Sequence, residues 1–545
     1  MSQPRSPGRH ALPVFLFTVI VTFLLLRLPG NVERFTSEHW LRWPIELPAA
    51  VLLLMIAPRR LVRLTCIGIA SVVLILSLLR LGDLGARFAF GRAFSPLADL
   101  HLFSQGWTLA SQSIGRTQAF GITIVALSLL LAVYVLLCLG LNRARHLGPD
   151  ARRRVGAVSA STLIAGLALG AIQHAGGQDF RVRADISLEL AERLDKAARA
   201  VRDQRAFAAE LAVDPVIVPP RFAALDGRDL LVLFVESYGR SFTDAPLFAD
   251  RARVSLEALE RTAASGGLHV RSGWLDAPIR GGRSWLSHAT FASGLALTNQ
   301  ARFDRLLASD RRSLPSLFSD AGWESVTVLP VVSTPWIEGA WYRVDRFIDG
   351  PELGYRGQGF GYVTMPDQFT LSAFQRRVRE PADGPLAATI GLLGSHAPWA
   401  PLALPVPWEA VGDGSIFDGS HRVGRPVNWA SPGPVREAYA RSVELTLARV
   451  SEYLQRYGRD ALIIVLGDHQ PASVIAGWAQ NAQVPIHVFA DDERLLERLP
   501  ADSFTTGALP ASDAVPLPMN AMRALLSTRY ELPLEPVVTG VPVQP

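Results

Sequence analysis

Residues 461 to 473 read ALIIVLGDHQPAS: six apolar residues, a glycine, then Asp468 and His469 side by side. A continuous apolar run, rather than an alternating one, is the pattern of a strand covered on both faces. Four further runs share it: DLLVLFVES from residue 229, SVTVLP from 325, AATIGLLGS from 387 and VPIHVFA from 484. Between them, helical spacing predicts helices over Arg251–Ser265, Ser313–Ala321, Met365–Glu380 and Val435–Tyr457. Strands alternating with helices make an α/β domain with a largely parallel sheet, and such sheets bind ligands at the carboxyl ends of their strands. The Gly/Pro-rich segment from about 402 to 434 reads as one long surface loop.

The rest of the 545-residue chain is different in texture. Overall it is 49% hydrophobic, and its mean hydropathy is positive, which assigns part of it to lipid. The uncharged runs Leu12–Leu26, Leu64–Leu79, Phe120–Leu141 and Val155–Ile172 approach the length of a bilayer-spanning helix, and Leu47–Ala57 is a shorter fifth. Five spans place Arg5 and Arg9, Arg59, Arg60 and Arg63, and the arginines from 143 to 154 on one side, which the positive-inside rule makes the cytoplasm. Everything after about residue 173 then lies outside. The stretch Ile186–Leu211 reads as a helix at or leaving the membrane surface, and VDPVIVPPRF breaks it into a linker.

The expected organisation is a five-helix transmembrane domain over residues 1–175, a juxtamembrane helix and linker over 176–225, a catalytic domain over 226–535 and a tail over 536–545. A net charge of +5, with arginines near the membrane ends, fits anionic headgroups and carries no nucleic-acid signature. The two cysteines, Cys66 and Cys138, both fall inside predicted spans, so the exported part is held by its core and not by disulfides.

Two strands end in charge. LLVLFVESYGRSF delivers Glu236, and ALIIVLGDH delivers Asp468 and His469. A buried strand that runs into a charged residue is expensive unless the residue is paired or coordinated. Taken singly, Glu236 also reads as a helix cap or salt-bridge partner, and Asp468 as a loop cap. Together, two carboxylates and an imidazole form a site for Mn²⁺ or Zn²⁺ with a coordination position left open. The segment RGGRSWLSHATFASGL, from residue 280, offers a nucleophile: Gly281 and Gly282 permit close approach to a phosphate, Arg283 brings charge, and Ser284 precedes a helix beginning near Trp285. From this segment alone Ser284 reads more readily as an N-cap, and Ser287, His288 and Thr290 on the following turns are its rivals.

ES(Y/F)G after the first strand, a serine opening a helix, SHAPW in mid-domain and GDHQP near the end together resemble the sulfatase-like branch of the alkaline phosphatase superfamily. The architecture of five spans and an exported domain is similar to the lipoteichoic acid synthase and phosphoglycerol transferase group. The resemblance implies an alkaline-phosphatase-like three-layer α/β/α domain in which Glu236, Ser284, Asp468 and His469 hold one divalent metal, with a second left open. It implies Ser284 as the nucleophile, where the family commonly has threonine, and His396 of GSHAPW as a contact to the phosphoryl oxygens or an aid to the leaving group. From AWYRVDRFIDG it carries over Trp341 and Arg343, with Arg283, as substrate contacts. From the residues alone, His396 can instead cap its loop and Trp341 can pack the core. The chain departs from the glycerol-phosphate polymerases, which carry a histidine and an aspartate upstream of that tryptophan. Here the segment is VVSTPWIEG, with Thr334 and Trp336.

The expected activity is transfer of a phospholipid headgroup phosphoryl unit, phosphoglycerol or phosphoethanolamine, through Ser284 to an envelope glycan or lipid acceptor at the outer face of a bacterial inner membrane. A membrane-anchored phosphodiesterase or phosphatase using water is the second reading, and a non-catalytic envelope scaffold the third. A sulfatase is disfavoured because Trp285 and Leu286 follow Ser284, with no Cys/Ser-x-Pro-x-Arg motif. Donor headgroup, acceptor, metal identity and oligomeric state are not encoded in any motif.

Overall fold

The computed structural model describes residues 10–31, 43–90, 93–94, 99, 106–107, 111, 115–176, 182–183, 185–333, 336–360, 362–424, 431–477 and 481–534. Arg5, Arg9, Thr334 and the tail from 536 lie outside these. The chain divides into two compact units. One comprises residues 1–88 with 92–203, the other 89–91 with 204–545.

The first unit is helical. Its elements are α1 (Ala11–Leu26), α2 (Glu46–Ile56), α3 (Val62–Phe90), α4 (Arg116–Asn142) and α5 (Pro149–Gly176); α6 (Asp185–Leu211) begins in it. Each of the five apolar runs is therefore helical. Two of the helices, over Val62–Arg87 and Arg116–His146, are long and apolar enough to cross a membrane, while Ala11–Leu26 and Glu46–Ile56 are apolar but shorter. Along α4 the side chains of Ile122, Val125, Leu129 and Leu136 are about 60% exposed or more, a surface that water does not tolerate at this density. Gly140 allows α4 to lie against Thr18 of α1, where an added Cβ would come within 2.0 Å of the threonine hydroxyl. Arg152 of α5 donates to the carbonyls of Met55 and Ala57, supplying the end of α2 with partners that it cannot find within itself. Arg80 and Asp83 pair with Glu189 and Arg193 in a compact ionic group.

The second unit is built on a nine-stranded mixed sheet. Its strands are β1 (Asp229–Val235), β2 (His269–Asp276), β3 (Glu324–Leu329), β4 (Arg346–Asp349), β5 (Leu386–Leu392), β6 (Ala461–Gly467), β7 (Gln483–Ala490), β8 (Phe504–Thr506) and β9 (Leu517–Pro518). They lie in the order β8-β2-β7-β6-β1-β5-β3-β4, with β9 against β2. The neighbours from β6 to β4 are parallel, whereas β6–β7, β7–β2 and β2–β8 are antiparallel. All five apolar runs became strands. β2 was not expected, because HVRSGWLD mixes polar and apolar residues and holds no continuous apolar run.

The labelled helices of this unit are α7 (Ala249–Ser265), α8 (Ser284–Ser293), α9 (Leu314–Asp320), α10 (Asp367–Phe374), α11 (Pro432–Tyr457) and α12 (Ala521–Arg529). Odd and even residues of the central strands enter different clusters. Leu231, Leu233, Ile463 and Val465 pack with Leu256 and Leu259 of α7 and Val443 and Leu447 of α11. Leu230, Val232, Ile464 and Leu466 pack with Leu317 of α9 and Leu525 of α12. Helices thus cover both faces, which is why these strands read as unbroken apolar runs. The segment 402–434 is more than a surface loop: Trp408, Val411 and Phe417 are buried in the first cluster, and residues 425–430 lie outside the described ones.

Candidate active site

Register decides where the charged residues meet. Gly467 of β6 pairs with Val235 of β1, and Val235 with Leu392 of β5. Three parallel strands therefore stop in one row. The next residues, Glu236, Asp468 with His469, and the loop to His396, emerge together at the carboxyl edge. Two backbone contacts fix the junction: the Glu236 amide donates to the Leu392 carbonyl, and the Ser395 hydroxyl donates to the Glu236 carbonyl at 2.6 Å. Gly467 is required by a close approach, since a Cβ there would lie 1.8 Å from the Tyr238 carbonyl oxygen.

Glu236, Asp468 and His469 are all buried, and their ligand atoms lie within 4.8 Å of one another. His469 Nε2 is 3.4 Å from Glu236 Oε1 and 3.5 Å from Asp468 Oδ2. His469 Nδ1 faces the Gln470 carbonyl at 2.8 Å. A carbonyl only accepts, so Nδ1 carries a proton, and Nε2 is the nitrogen turned toward the carboxylates. Asp468 Oδ1 accepts from the amides of Ser237 and His469, and Ser237, at φ 56°, donates its hydroxyl to Glu236 Oε1.

Ser284 completes the group. Its hydroxyl donates to Glu236 Oε2 at 2.9 Å and lies 3.3 Å from His469 Nε2. It is the first residue of α8 and not its cap; Arg283 holds the cap position, buried, in the left-handed region at φ 61°. The turn is tight because Gly282 also has positive φ. Among the rivals, Ser287 and Thr290 are fully buried. His288 stacks on Phe234 with ring centroids 3.9 Å apart, and burial lowers its imidazole to about 4, so it is neutral at physiological pH.

The electrostatics follow from two buried carboxylates in contact. Burial opposes both charges. At Glu236 the nearby imidazoles of His396 and His469 outweigh it, and the carboxyl sits below its ordinary value. Asp468, buried beside the Glu236 charge, is pushed well above its own. Such a pair ionises fully only when a positive charge joins it. The donor set of two carboxylates, an imidazole with a free Nε2 and a serine hydroxyl suits a divalent cation of the Mn²⁺ or Zn²⁺ kind.

His396 lies near enough to influence Glu236. Its Nδ1 faces the Ala397 carbonyl, and Tyr362 stacks on its ring at 4.0 Å. Trp341 and Arg343 make no hydrogen bond to the four central residues. Trp341 is 5% exposed within an apolar cluster with Leu286 and Ala289, and Arg343 is exposed at φ 50°. Trp336 packs at a tilt against the rings of Tyr342 and Phe347.

Among the supporting residues only Gln470 lies in a motif, GDHQP, and its contacts could not be read from it. The Asp367 carboxylate accepts from the amides of Leu393 and Gly394 and from the Thr446 hydroxyl, holding the loop before His396. Gln470 bonds the Ser241 amide and, through its amide nitrogen, Asn481 and the Gln483 carbonyl. The Tyr439 hydroxyl donates to the Ser237 carbonyl. Each acts across more than 10 residues of chain, so no local pattern could have disclosed it.

No family model and no curated protein matches the chain. Solved structures do. The lipooligosaccharide phosphoethanolamine transferase A of Neisseria meningitidis, an integral membrane protein, is 12% identical over 96% of this chain and 90% of its own, with a TM-score of 0.43. The C-terminal periplasmic domain of the phosphoethanolamine transferase EptC of Campylobacter jejuni is 13% identical over 55% of this chain and 88% of its own, with a TM-score of 0.35. The phosphoglycerol transferase GacH of Streptococcus pyogenes, in complex with sn-glycerol-1-phosphate, is 12% identical over 53% and 74%, with a TM-score of 0.34. Other similar solved structures are described as a protein in the alkaline phosphatase superfamily from Vibrio parahaemolyticus and as a sulfatase.

Proposed function

We propose that this chain is a membrane-anchored, metal-dependent transferase that moves a phospholipid headgroup phosphoryl unit, phosphoglycerol or phosphoethanolamine, to a hydroxyl of an envelope acceptor. The observation that supports this best is the position of the Ser284 hydroxyl, 2.9 Å from Glu236 and 3.3 Å from His469 inside a buried two-carboxylate, one-imidazole group. A structural serine would have no use for such surroundings.

Glu236, Asp468, His469 and Ser284 would hold the metal, which when bound supplies positive charge for the phosphoryl oxygens and lowers the pKa of the serine hydroxyl. Ser284 Oγ gives up its proton to solvent and attacks the donor phosphorus. The bond from phosphorus to the diacylglycerol oxygen breaks, that oxygen takes a proton from His396, and the headgroup phosphoryl stays on the serine. The amides opening α8 and Arg283 stand beside the nucleophile, where charge develops on the phosphoryl oxygens. His396, with Nδ1 committed to a carbonyl, has Nε2 free to give or take a proton. In this reading five helices anchor the chain in the inner membrane with the catalytic unit on the outer side. The covalent tether confines the site to the surface where the lipid donor is concentrated.

The test is direct. Purified protein is incubated with headgroup-labelled phosphatidylglycerol or phosphatidylethanolamine, with each divalent metal in turn. Label on Ser284 and release of diacylglycerol from one lipid are expected and identify the donor. Release of the headgroup to water alone makes the enzyme a phosphodiesterase, and absence of reaction with every lipid and metal refutes the assignment.

A further inference from the structure

The early turns of α6 are fixed to the end of α3 by two ion pairs, Glu189 with Arg80 at 2.7 Å and Arg193 with Asp83 at 2.8 Å. Arg80 also donates to the Leu26 carbonyl, where α1 ends. The depth of this junction can be read along α3, whose apolar stretch opens at Val62 behind Arg59 and Arg60. At about 1.5 Å per residue, Arg80 and Asp83 stand about 27 and about 31 Å along the helix from Val62. A hydrocarbon core is about 30 Å thick, so a spanning α3 pins α6 at the far boundary of the bilayer.

The side of α6 next to that junction is apolar. Leu190, Ala191, Leu194, Ala198 and Val201 follow one another at helical spacing, and no charged residue between 190 and 201 falls on their stripe. Its large members stay uncovered: Leu190 is 52% exposed, Leu194 63% and Val201 53%. The free charges stand on another face, where Asp195 pairs with Arg199 at 2.6 Å and approaches Arg202, each of them at least half exposed. Three sectors therefore run along α6: one bound to α3, one charged and one apolar and bare.

A helix leaving the membrane for water has no use for such a stripe, and a row of bare leucines there is a liability. At the depth the ion pairs set, the same stripe meets the boundary between headgroups and acyl chains, where an amphipathic helix buries its apolar side by about 5–10 Å and keeps its charges in water. Resting on the membrane-anchored reading above, we propose that α6 is an interfacial helix whose Leu190, Leu194 and Val201 stripe lies in the phospholipid of the outer leaflet. Its occupant is the bilayer itself. The contact is hydrophobic and selects no headgroup, since the charged sector mixes both signs.

Depth can be measured without turnover. Single cysteines are placed in the full chain carrying Cys66→Ala and Cys138→Ala, labelled with an environment-sensitive fluorophore and put into phosphatidylcholine nanodiscs. Lipids spin-labelled near the headgroup or near the methyl end of the acyl chain are the quenchers. Leu194→Cys is expected to lose most of its emission to the headgroup-side label and less to the methyl-end label, while Asp195→Cys, on the charged sector, keeps its emission. Leu129→Cys, at the middle of α4 where the side chain is 66% exposed, reports the span itself and should be quenched from the methyl end. If the cysteine-free chain does not fold, the parent labelled in the same way supplies the background to subtract. The proposal is overturned if Leu194→Cys is quenched no more than Asp195→Cys, or if it crosslinks to a second copy without being quenched by lipid. Quenching at Leu129→Cys with Leu194→Cys spared refutes the interfacial helix alone, whereas Leu129→Cys spared by both labels refutes the anchored reading and the helix with it. Quenching at Leu194→Cys in a chain that cleaves no donor upholds the helix and refutes only the transferase.

Discussion

At the scale of the residue, the proposed chemistry rests on one hydroxyl and the charges around it. Ser284→Ala removes the proposed nucleophile while keeping the shape of α8, so loss of donor cleavage by roughly a thousandfold or more is expected, measured as diacylglycerol release. Ser284→Thr keeps the oxygen and should retain activity; equal loss in both variants would point to packing and not to the hydroxyl. The carboxylate pair makes a separate prediction. With Asp468 raised above its ordinary value, the pair without a cation holds a proton that metal binding must displace. Affinity for Mn²⁺ or Zn²⁺ should therefore rise with pH, and chelation should abolish cleavage. A metal titration that is flat with pH would contradict the shared proton.

The strand ends are where elements control the site. An alanine Cβ at Gly467 meets the Tyr238 carbonyl, which belongs to backbone and cannot swing aside. Gly467→Ala must push β6 from β1 just before Asp468, and a loss of about 3 kcal/mol or more is expected in denaturant unfolding, with metal affinity falling too. In β7, His487 is fully buried between the Tyr238 and Ser272 hydroxyls, and burial lowers its imidazole to about 3. Above a pH of about 6.5 the ring is neutral whether folded or unfolded and contributes no pH dependence. Below it, the unfolded chain takes up a proton that the folded one refuses until about 3, so stability falls as pH drops through that window. His487→Gln should flatten this part of the profile of melting temperature against pH. A slope unchanged by the substitution would assign the acid sensitivity to other groups.

For the whole molecule, the two units make different demands on their surroundings. Among the described residues, two helices of the first are long and apolar enough to span a bilayer, and Ala11–Leu26 and Glu46–Ile56 are shorter apolar ones. The only cysteines are Cys66 and Cys138, so a single cysteine placed in the catalytic unit reports its side of the membrane without interference from neighbours there. Asp513→Cys should react with a membrane-impermeant maleimide once the outer membrane is opened. Labelling only after the inner membrane is lysed would place the catalytic unit in the cytoplasm and overturn the five-span topology.

Much of this was legible one-dimensionally. Unbroken apolar runs marked strands whose two faces are covered, and periodicity marked α7, α9, α10 and α11, because both patterns record burial at fixed local spacing. The same runs ended in Glu236 and in Asp468 with His469, since a charge placed where a buried strand stops is costly without a partner. Local pattern could not reveal the polar strand β2, the antiparallel side of the sheet, or the insertion of Trp408 and Phe417 into the core, which depend on contacts between distant segments. Nor could it choose among Ser284, Ser287 and Thr290. The tertiary structure shows which hydroxyl lies against Glu236, because only pairing in register brings Val235, Leu392 and Gly467 into one row, and only the turn at Gly282 and Arg283 sets Ser284 there. The chain's spacing determined which residues are expensive to bury, and the fold alone determined which of them share that burial.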